Sequence, residues 1–349
     1  MAIQDVIIIG AGPSGLSAAI AAKQQNLDYQ IFEQGVLVNS IGRFPPQMVF
    51  FTTPELLEIG GLPFVSPYEK PTRVEALKYY RKVVDAFDLQ IAFGEKVLTV
   101  AASPGASMGS ERAIDPAALE AEEPRFAVTT RSKLGVQRVH HARNVIFAIG
   151  YYDHPVLIGV PGEALPHVQH YYTEPYPHYR QNVVVVGGGN SAAESALELF
   201  RAGAHVTLVH RSASLKSGIK YWVRPDIENR IKEGSIAARF NACVTEIRQT
   251  SVIVRSDGSG GPGGAEELPA DAVYLLTGYR ADTDLLVRAG VVLDDRDAPV
   301  HDPQTFETNV PGLFVAGGAI AGADTDTIFI ENGRFHGDRI IEAIASRFM

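Results

Sequence analysis

The sequence predicts an α/β protein with two Rossmann-like nucleotide-binding domains of the three-layer ββα type, the second inserted into the first. A strand, a glycine-rich turn and a helix follow one another near residue 10 and again near residue 187, and 349 residues suffice for about two domains. The late apolar stretch "NVPGLFVAGG" has no partner in the second repeat and is expected to return to the first. We expect the first domain to cover 1–165 and 285–349, and the second 166–284.

The first turn, "GAGPSG", predicts a site for the pyrophosphate of a dinucleotide. Gly10 permits the tight turn after the strand, Gly12 lets the backbone approach a phosphate, and Gly15 lets the helix pack on the sheet. The helix N-terminus offers free N–H groups and the positive end of its dipole. The next strand ends in Glu33, whose carboxylate suits a free ribose 2′-hydroxyl. This combination is typical of an FAD site.

The second turn, "GGGNSA", repeats the pattern with a different ending. Gly187 and Gly189 take the places of the first two glycines, and the next strand ends in His210 and Arg211 instead of an acid. An arginine there attracts a 2′-phosphate, and Lys216 follows in the same loop. Two charge-assisted hydrogen bonds of about 1.5–3 kcal/mol each favour NADPH over NADH by about 10²- to 10⁴-fold. A flavin and a pyridine nucleotide in one chain indicate hydride transfer.

Composition and charge narrow the classes of function. The chain has 40 acidic and 31 basic side chains and a net charge of −9, which argues against a nucleic-acid partner. No apolar run reaches the roughly 20 residues of a membrane span, and no signal peptide is expected. The only cysteine, Cys243, cannot form an intramolecular disulfide, so a cytoplasmic protein is expected. The alternating strand around Cys243 predicts a buried, inert thiol, and no metal site is expected from the histidine spacing.

Longer motifs carry a family resemblance over nearly the whole chain. The two turns and the tail "NVPGLFVAG" resemble the thioredoxin reductase-like flavoproteins, but the Cys-x-x-Cys pair of those reductases is missing from "HVQHYYTEPYPHYRQN". The stretches "VLVNSIGRFPPQMVFFTTPELLEIGGLPF", "IKYWVRPDIENRIKEGSI" and "IFIENGRFHG" are similar to the bacillithiol-disulfide reductase family. The resemblance implies an FAD- and NADPH-dependent oxidoreductase, a homo-oligomer, that acts on the disulfide of a low-molecular-weight thiol.

The glycine patterns and the resemblance together give a set of cofactor residues. The residues predicted to bind FAD are Gly10, Gly12, Pro13, Ser14, Gly15, Glu33, Gln34, Asn39, Ser40, Val97, Gly150, Gly317 and Ile328. The residues predicted to bind NADPH are Gly187, Gly189, Asn190, Ser191, His210, Arg211 and Lys216.

Ser14 is a departure from the family, whose well-studied members have a cysteine inside the first turn. A cysteine at a helix N-terminus has a lowered pKa and attacks disulfides as the thiolate. A serine hydroxyl does not ionise near neutral pH and needs an adjacent base, which the sequence does not supply. Ser14 is therefore expected only to hydrogen-bond phosphate, and the catalytic residue stays unassigned.

The missing cysteine leaves other functions open. A ferredoxin- or flavodoxin-NADP reductase-like electron transferase needs no protein thiol. A flavin redox sensor without turnover is a third alternative. A flavin monooxygenase has less support, because no monooxygenase signature lies between the two turns.

Overall fold

The structure is a computed structural model that describes residues 3–103, 125–256, 264–325 and 327–347. Most of 101–124, predicted from its composition as an exposed excursion, and of 256–267, predicted as a hairpin tip, lies outside the described residues. The chain forms two compact units. Unit 1 comprises Met1–Arg43, Gln47–His154 and Tyr279–Met349, and unit 2 comprises Phe44–Pro46 and Pro155–Gly278.

Unit 1 is built on a seven-stranded sheet with helices packed against it. Its strands are β1 (Ile3–Ile9), β2 (Tyr29–Glu33), β3 (Ile91–Phe93), β4 (Glu95–Ala102), β5 (Phe126–Ser132), β6 (Gln137–Phe147) and β15 (Leu313–Val315). Its helices are α1 (Pro13–Gln24), α2 (Asn39–Arg43), α3 (Arg73–Phe87), α6 (Thr283–Arg288), α7 (Ile330–Gly333) and α8 (His336–Ala345), with 3₁₀ turns at Pro54–Leu57 and Gly317–Ala321.

The sheet of unit 1 combines a parallel half with an antiparallel half. β3, β2, β1 and β6 are parallel neighbours, and β15 also pairs with β6 in parallel. β5 and β4 extend the sheet from β6 in antiparallel pairing. β1 is central, and its apolar run is buried on both faces, as expected for a strand between two parallel neighbours. The carboxyl ends of β1, β6 and β15 therefore lie side by side, where open α/β sheets bind their ligands.

Unit 2 contains a five-stranded parallel sheet and a three-stranded antiparallel sheet. The parallel strands, in spatial order, are β10 (Ala237–Arg239), β9 (His205–Val209), β8 (Asn182–Val186), β14 (Ala272–Leu275) and β7 (Val168–Gln169). The antiparallel strands are β11 (Ala242–Ile247), β12 (Ser251–Ser256) and β13 (Ala265–Pro269). The helices are α4 (Asn190–Arg201) and α5 (Arg224–Lys232), with a 3₁₀ turn at Tyr176–His178.

The valine run of β8 shows how unit 2 is layered. Val183 and Val185 pack with Leu197 and other residues of the helical side. Val184 packs in a separate cluster with Val252 of the antiparallel sheet. Because successive side chains of a strand point to opposite faces, the run joins a helical layer, a parallel sheet and an antiparallel sheet. The three-layer fold class predicted from the sequence is confirmed.

The limits of the compact units differ from the predicted domain limits. Residues 155–165 belong to unit 2, because Ile158 and Leu165 pack against the antiparallel-sheet cluster and Ile247 N donates to Pro161 O over 2.8 Å. Residues 279–284 belong to unit 1, where α6 begins at Thr283. These contacts are long-range, so no local pattern marked them.

The C-terminal helix α8 packs directly on α1. A Cβ added to Gly337 would overlap the backbone of Ala18. We predict that Gly337→Ala forces the two helices apart and lowers the free energy of unfolding by about 1–3 kcal/mol, measured by urea denaturation. Gly42→Ala is the matched control, because its new methyl group would meet only Val36 at ordinary contact distance. Equal stability of the two variants would contradict this packing.

Candidate cofactor sites

The glycine turn of unit 1 is closely packed on one side and open on the other. Gly10 has a φ of +107°, and a Cβ there would overlap the carbonyl oxygen of Ala148. A Cβ on Gly15 would overlap the carbonyl oxygen of Gly10. Gly12, the N-cap of α1, has no described atom within 4 Å of an added Cβ and makes no side-chain cap. Pro13 begins α1 without an N–H of its own, and the next N–H groups of this first turn have no partner within the helix. Beside the open space at Gly12, such a helix N-terminus is suited to a pyrophosphate.

The carboxylate of Glu33 is built into the same turn. Its two oxygens accept hydrogen bonds from Ala11 N over 2.9 Å and from Gly35 N over 2.6 Å. Burial raises the pKa of Glu33, and the two backbone hydrogen bonds oppose that rise. Each carboxylate oxygen has two lone pairs, so Glu33 retains acceptor capacity for a ribose hydroxyl.

Two of the other predicted FAD residues converge on a residue that sequence reasoning missed. The Asp153 carboxylate accepts hydrogen bonds from Gln34 Nε2 over 3.1 Å and Asn39 Nδ2 over 3.2 Å. Arg43 pairs with the same carboxylate over 2.9 Å. Asp153 thereby ties the segment after Gly150 to the loop after β2. Ser40 lies half-buried in α2, next to Asn39.

Ser14 contacts the glycines of the C-terminal tail. Its Oγ lies against Gly317, where an added Cβ would overlap it, and 3.2 Å from a Cβ placed on Gly333. In the described part of the chain this hydroxyl makes no hydrogen bond. His336 contacts the same loop, but its Nδ1 accepts a hydrogen bond from Gly317 N over 3.1 Å. Burial lowers the pKa of His336 to about 4, so the ring is neutral at pH 7. Its Nδ1 lone pair is therefore not available to activate Ser14.

The remaining predicted FAD residues lie in different environments. Gly150 follows β6 with a φ of +61° and open space beside it. The Val97 side chain is buried in the core of unit 1, so only its main chain can meet a ligand. Ile328 lies half-buried, with Cγ2 3.7 Å from a Cβ placed on Gly333.

The glycine turn of unit 2 has the same open side. Gly189 is the N-cap of α4, and a Cβ there would meet only Lys216 Cδ, at 3.8 Å. The ring of His210 packs on Gly188, where an added Cβ would overlap it. Burial, followed by the nearby charges of Arg211 and Lys216, lowers the pKa of His210. The neutral ring thus packs against the turn, and the cations Arg211 and Lys216 are exposed.

The predicted polar residues at this turn divide into two groups. Ser191 is exposed in the first turn of α4. Asn190 instead uses both ends of its amide on the loop that follows β9, through Gly218 O and Lys220 N. Lys220 is itself buried in an ion pair with Glu194, with Nζ 2.6 Å from Oε1.

The prediction of a buried cysteine is wrong. Cys243 lies on β11 and is exposed, because its neighbours Ala242 and Val244 take the inward positions of the alternating strand. Among the described residues, no group of three or more His, Cys, Asp and Glu side chains has the arrangement of a metal site. No helix in the described ranges combines the length and apolarity needed to cross a membrane.

The open space in front of Gly12 gives a direct test of the first cradle. We predict that Gly12→Val folds normally, because the added atoms begin in open space, and that it weakens FAD binding about tenfold or more by occupying the pyrophosphate position. The ratio of flavin to protein absorbance after dialysis measures the loss. Gly42→Ala in the same unit, where the backbone has no positive φ and the added methyl group meets only Val36 at ordinary contact distance, serves as a control for handling. Full flavin retention in Gly12→Val would contradict the assignment.

His336 gives a test through pH. Its pKa is about 4 in the folded protein and near 6.5 when unfolded, so the unfolded state binds more protons between these values. Stability due to this group is therefore complete above pH 6.5 and is lost as the pH falls towards 4. We predict that the His336→Asn variant, whose Oδ1 can still accept from Gly317 N, loses about 2–3 kcal/mol less than the wild type over this range. Urea unfolding at fixed FAD concentration measures the difference, and parallel pH profiles would refute it.

Comparisons with known proteins agree with the two cradles. A sequence profile of the pyridine nucleotide-disulphide oxidoreductase family matches residues 7–107 and 117–317. Bacilliredoxin reductase Bdr of Bacillus subtilis (strain 168) is 39% identical over 348 residues, which cover 99% of this chain and 98% of that protein.

Two solved structures extend the similarity to three dimensions. Bacillithiol disulfide reductase Bdr (YpdA) from Bacillus cereus superposes with a TM-score of 0.90 at 36% identity, over 99% of this chain and 100% of that one. The Bdr (YpdA) structure from Staphylococcus aureus superposes with a TM-score of 0.88 at 35% identity, over the full length of both chains.

The matched regions contain both glycine turns, and the predicted pair of cofactors, FAD and NADPH, is confirmed. The chain is an oxidoreductase. On the profile match and the identity over almost its full length, it belongs to the pyridine nucleotide-disulphide oxidoreductase family, among the bacillithiol disulfide reductases.

Proposed function

We propose that the protein is an FAD-dependent, NADPH-oxidising reductase whose acceptor is a low-molecular-weight disulfide of the bacillithiol type. The observation that carries the proposal is the 39% identity to bacilliredoxin reductase over 99% of the chain. In the overall reaction, NADPH, one proton and one disulfide give NADP⁺ and two thiols. When bound, NADPH supplies the hydride and FAD accepts it.

The residues of unit 1 hold and orient the flavin cofactor in this proposal. The N-terminus of α1 binds the pyrophosphate, because a helix N-terminus attracts anions and the space beside Gly12 is open. Glu33 binds the ribose and keeps the turn closed through Ala11 N. The Asp153 carboxylate fixes Asn39 and Gln34, so these side chains act on the cofactor site from fixed positions.

The residues of unit 2 select the pyridine nucleotide. The N-terminus of α4 receives the second pyrophosphate next to the open face of Gly189. Arg211 and Lys216 are exposed cations on the loop beside that turn, where they attract a 2′-phosphate. The preference for NADPH is part of the proposal.

No thiolate of unit 1 takes part, because the single cysteine of the chain is Cys243, in β11 of unit 2. Among the described residues Ser14 Oγ has no hydrogen-bond partner, and the Nδ1 of the nearby His336 ring accepts from Gly317 N, which supports a non-catalytic role for Ser14. We therefore propose that the substrate disulfide is reduced without a covalent bond to Ser14. The same lack of a thiol supports a second candidate, electron transfer to a ferredoxin or flavodoxin.

The proposal also covers the location and the partners of the protein. We place it in the cytoplasm as a homo-oligomer without a nucleic-acid partner. The single cysteine supports the cytoplasm, and the net charge of −9 argues against a nucleic-acid partner. The homo-oligomer is what the family resemblance implies.

An anaerobic experiment tests the proposal. The holoenzyme is mixed with NADPH, and the visible flavin absorbance is followed before bacillithiol disulfide is added. The expected result is bleaching by NADPH, then recovery of the absorbance with release of two thiols per NADPH. Absence of bleaching would refute the proposed reductase activity. Recovery of the flavin absorbance only with ferredoxin or flavodoxin would favour the second candidate, electron transfer to those carriers. Bleaching with neither kind of acceptor would favour a redox sensor.

Ser14 provides a separate prediction. We expect Ser14→Ala to keep kcat with the disulfide within about twofold of the wild type, because Oγ has no hydrogen-bond partner, and hence no hydrogen-bonded base, in the described ranges. The variant is compared with the wild type at equal flavin content in a thiol-release assay. A fall of about 10³-fold or more at full flavin content would show that Ser14 reacts directly.

A further inference from the structure

We propose that Asn190 is a positioning residue that fixes the loop 216–220 on the second glycine turn and thereby sets the preference for NADPH over NADH. The inference rests on the proposed function of unit 2 as the NADPH site. It changes the role expected for Asn190, from a direct ligand of the cofactor to a support for Lys216.

Both ends of the Asn190 amide are used on this loop. Asn190 Nδ2 donates to Gly218 O over 3.0 Å, and Asn190 Oδ1 accepts from Lys220 N over 2.8 Å. These two bonds clasp the main chain on either side of Ile219, whose side chain is buried in the core of unit 2. The amide is thus aligned with the loop backbone.

The two ends of the loop are fastened as well. Lys216 N donates to Gly188 O over 2.9 Å, inside the glycine turn. The Arg224 guanidinium donates to Lys216 O. Lys220 Nζ lies 2.6 Å from Glu194 Oε1, and the lysine side chain is only 8% exposed. The lysine end of this ion pair is buried, and a buried charge is costly to leave unpaired, so the pair resists separation.

These contacts separate two roles among the lysines. Lys220 is a structural cation, since it is buried against Glu194. Lys216 is exposed, and its main chain is bonded to the turn, so it carries charge at the mouth of the site. Gly218 lies between them, and an added Cβ there would meet no described atom within 4 Å. Because glycine restricts the backbone least, we expect the hydrogen bonds of Asn190 to hold this loop, and with it Lys216, in position.

The fixed loop has a consequence that depends on the ligand. Ordering a charged side chain before binding removes an entropy cost that would otherwise reduce affinity. Only NADP⁺ has a 2′-phosphate to benefit from an ordered Lys216, whereas NAD⁺ and NADP⁺ share the pyrophosphate. Loosening the loop should therefore weaken NADP⁺ binding selectively.

The experiment titrates oxidised, FAD-loaded protein with NADP⁺ and with NAD⁺ by calorimetry. For Asn190→Ala we expect Kd for NADP⁺ to rise about tenfold and Kd for NAD⁺ to change less than about twofold. Asn229→Ala, an equal truncation on an exposed position of α5, is the matched control and should change neither. If Asn190→Ala does not fold, Glu194→Gln is the alternative, because it weakens the ion pair with Lys220 that also holds the loop. This variant should raise Kd for NADP⁺ about two- to threefold.

A double-mutant cycle gives the decisive comparison. Lys216→Ala should weaken NADP⁺ binding on its own, and adding Asn190→Ala to it should have little further effect, because both act through the same charge. Equal weakening of NAD⁺ and NADP⁺ by Asn190→Ala would show a direct contact with their shared part and overturn the inference. Additive effects would overturn it too. If Lys216→Ala and Arg211→Ala both leave the NADP⁺ to NAD⁺ ratio unchanged, the proposed NADPH site itself fails.

Discussion

The approach of two peptide groups inside the first glycine turn is the constraint on which the rest of unit 1 depends. In unit 1, Gly15 lies so close to the Gly10 carbonyl that no side chain fits between them. This contact lets α1 begin at Pro13, shortly after β1 ends at Ile9, and the first N–H groups of the helix have no intrahelical partners. The hydrogen bond from Ala11 N to Glu33 and the position of Ser14 beside Gly317 follow from where that helix begins.

Both units have a glycine turn between a strand and a helix, but the side chains at the end of the next strand differ in charge. In unit 1 the second strand delivers a carboxylate that accepts two backbone N–H groups next to the turn. In unit 2 the corresponding strand delivers a neutral imidazole, His210, packed on Gly188 and followed by Arg211. In the proposed function, a common backbone would bind two pyrophosphates, and the residue at the end of the second strand would select what the ribose carries.

The glycine turns, the strands that precede them and the charge at each strand end were predictable, because all of these are local in sequence. The residues that hold the site together were not. The Asp153 side chain accepts a hydrogen bond from Asn39, 114 positions away in sequence. His336 accepts one from Gly317, 19 positions away. Cys243 was placed on the wrong face, since an alternating pattern gives two faces but does not identify the inner one. The limits of the two units depend on the packing of 155–165, which has no periodic signal.

The hydroxyl at Ser14 has a consequence for chemical durability. A thiolate at a helix N-terminus is a target for peroxides and alkylating agents, which convert it to sulfenic or higher acids or cap it. In this chain that position carries oxygen instead of sulfur, and the one thiol lies on the outer face of a strand in the other unit. Oxidants that act on the thiolate of a cysteine-bearing reductase would therefore find no thiol in the first glycine turn, and a thiol-directed probe would label the molecule once, on unit 2.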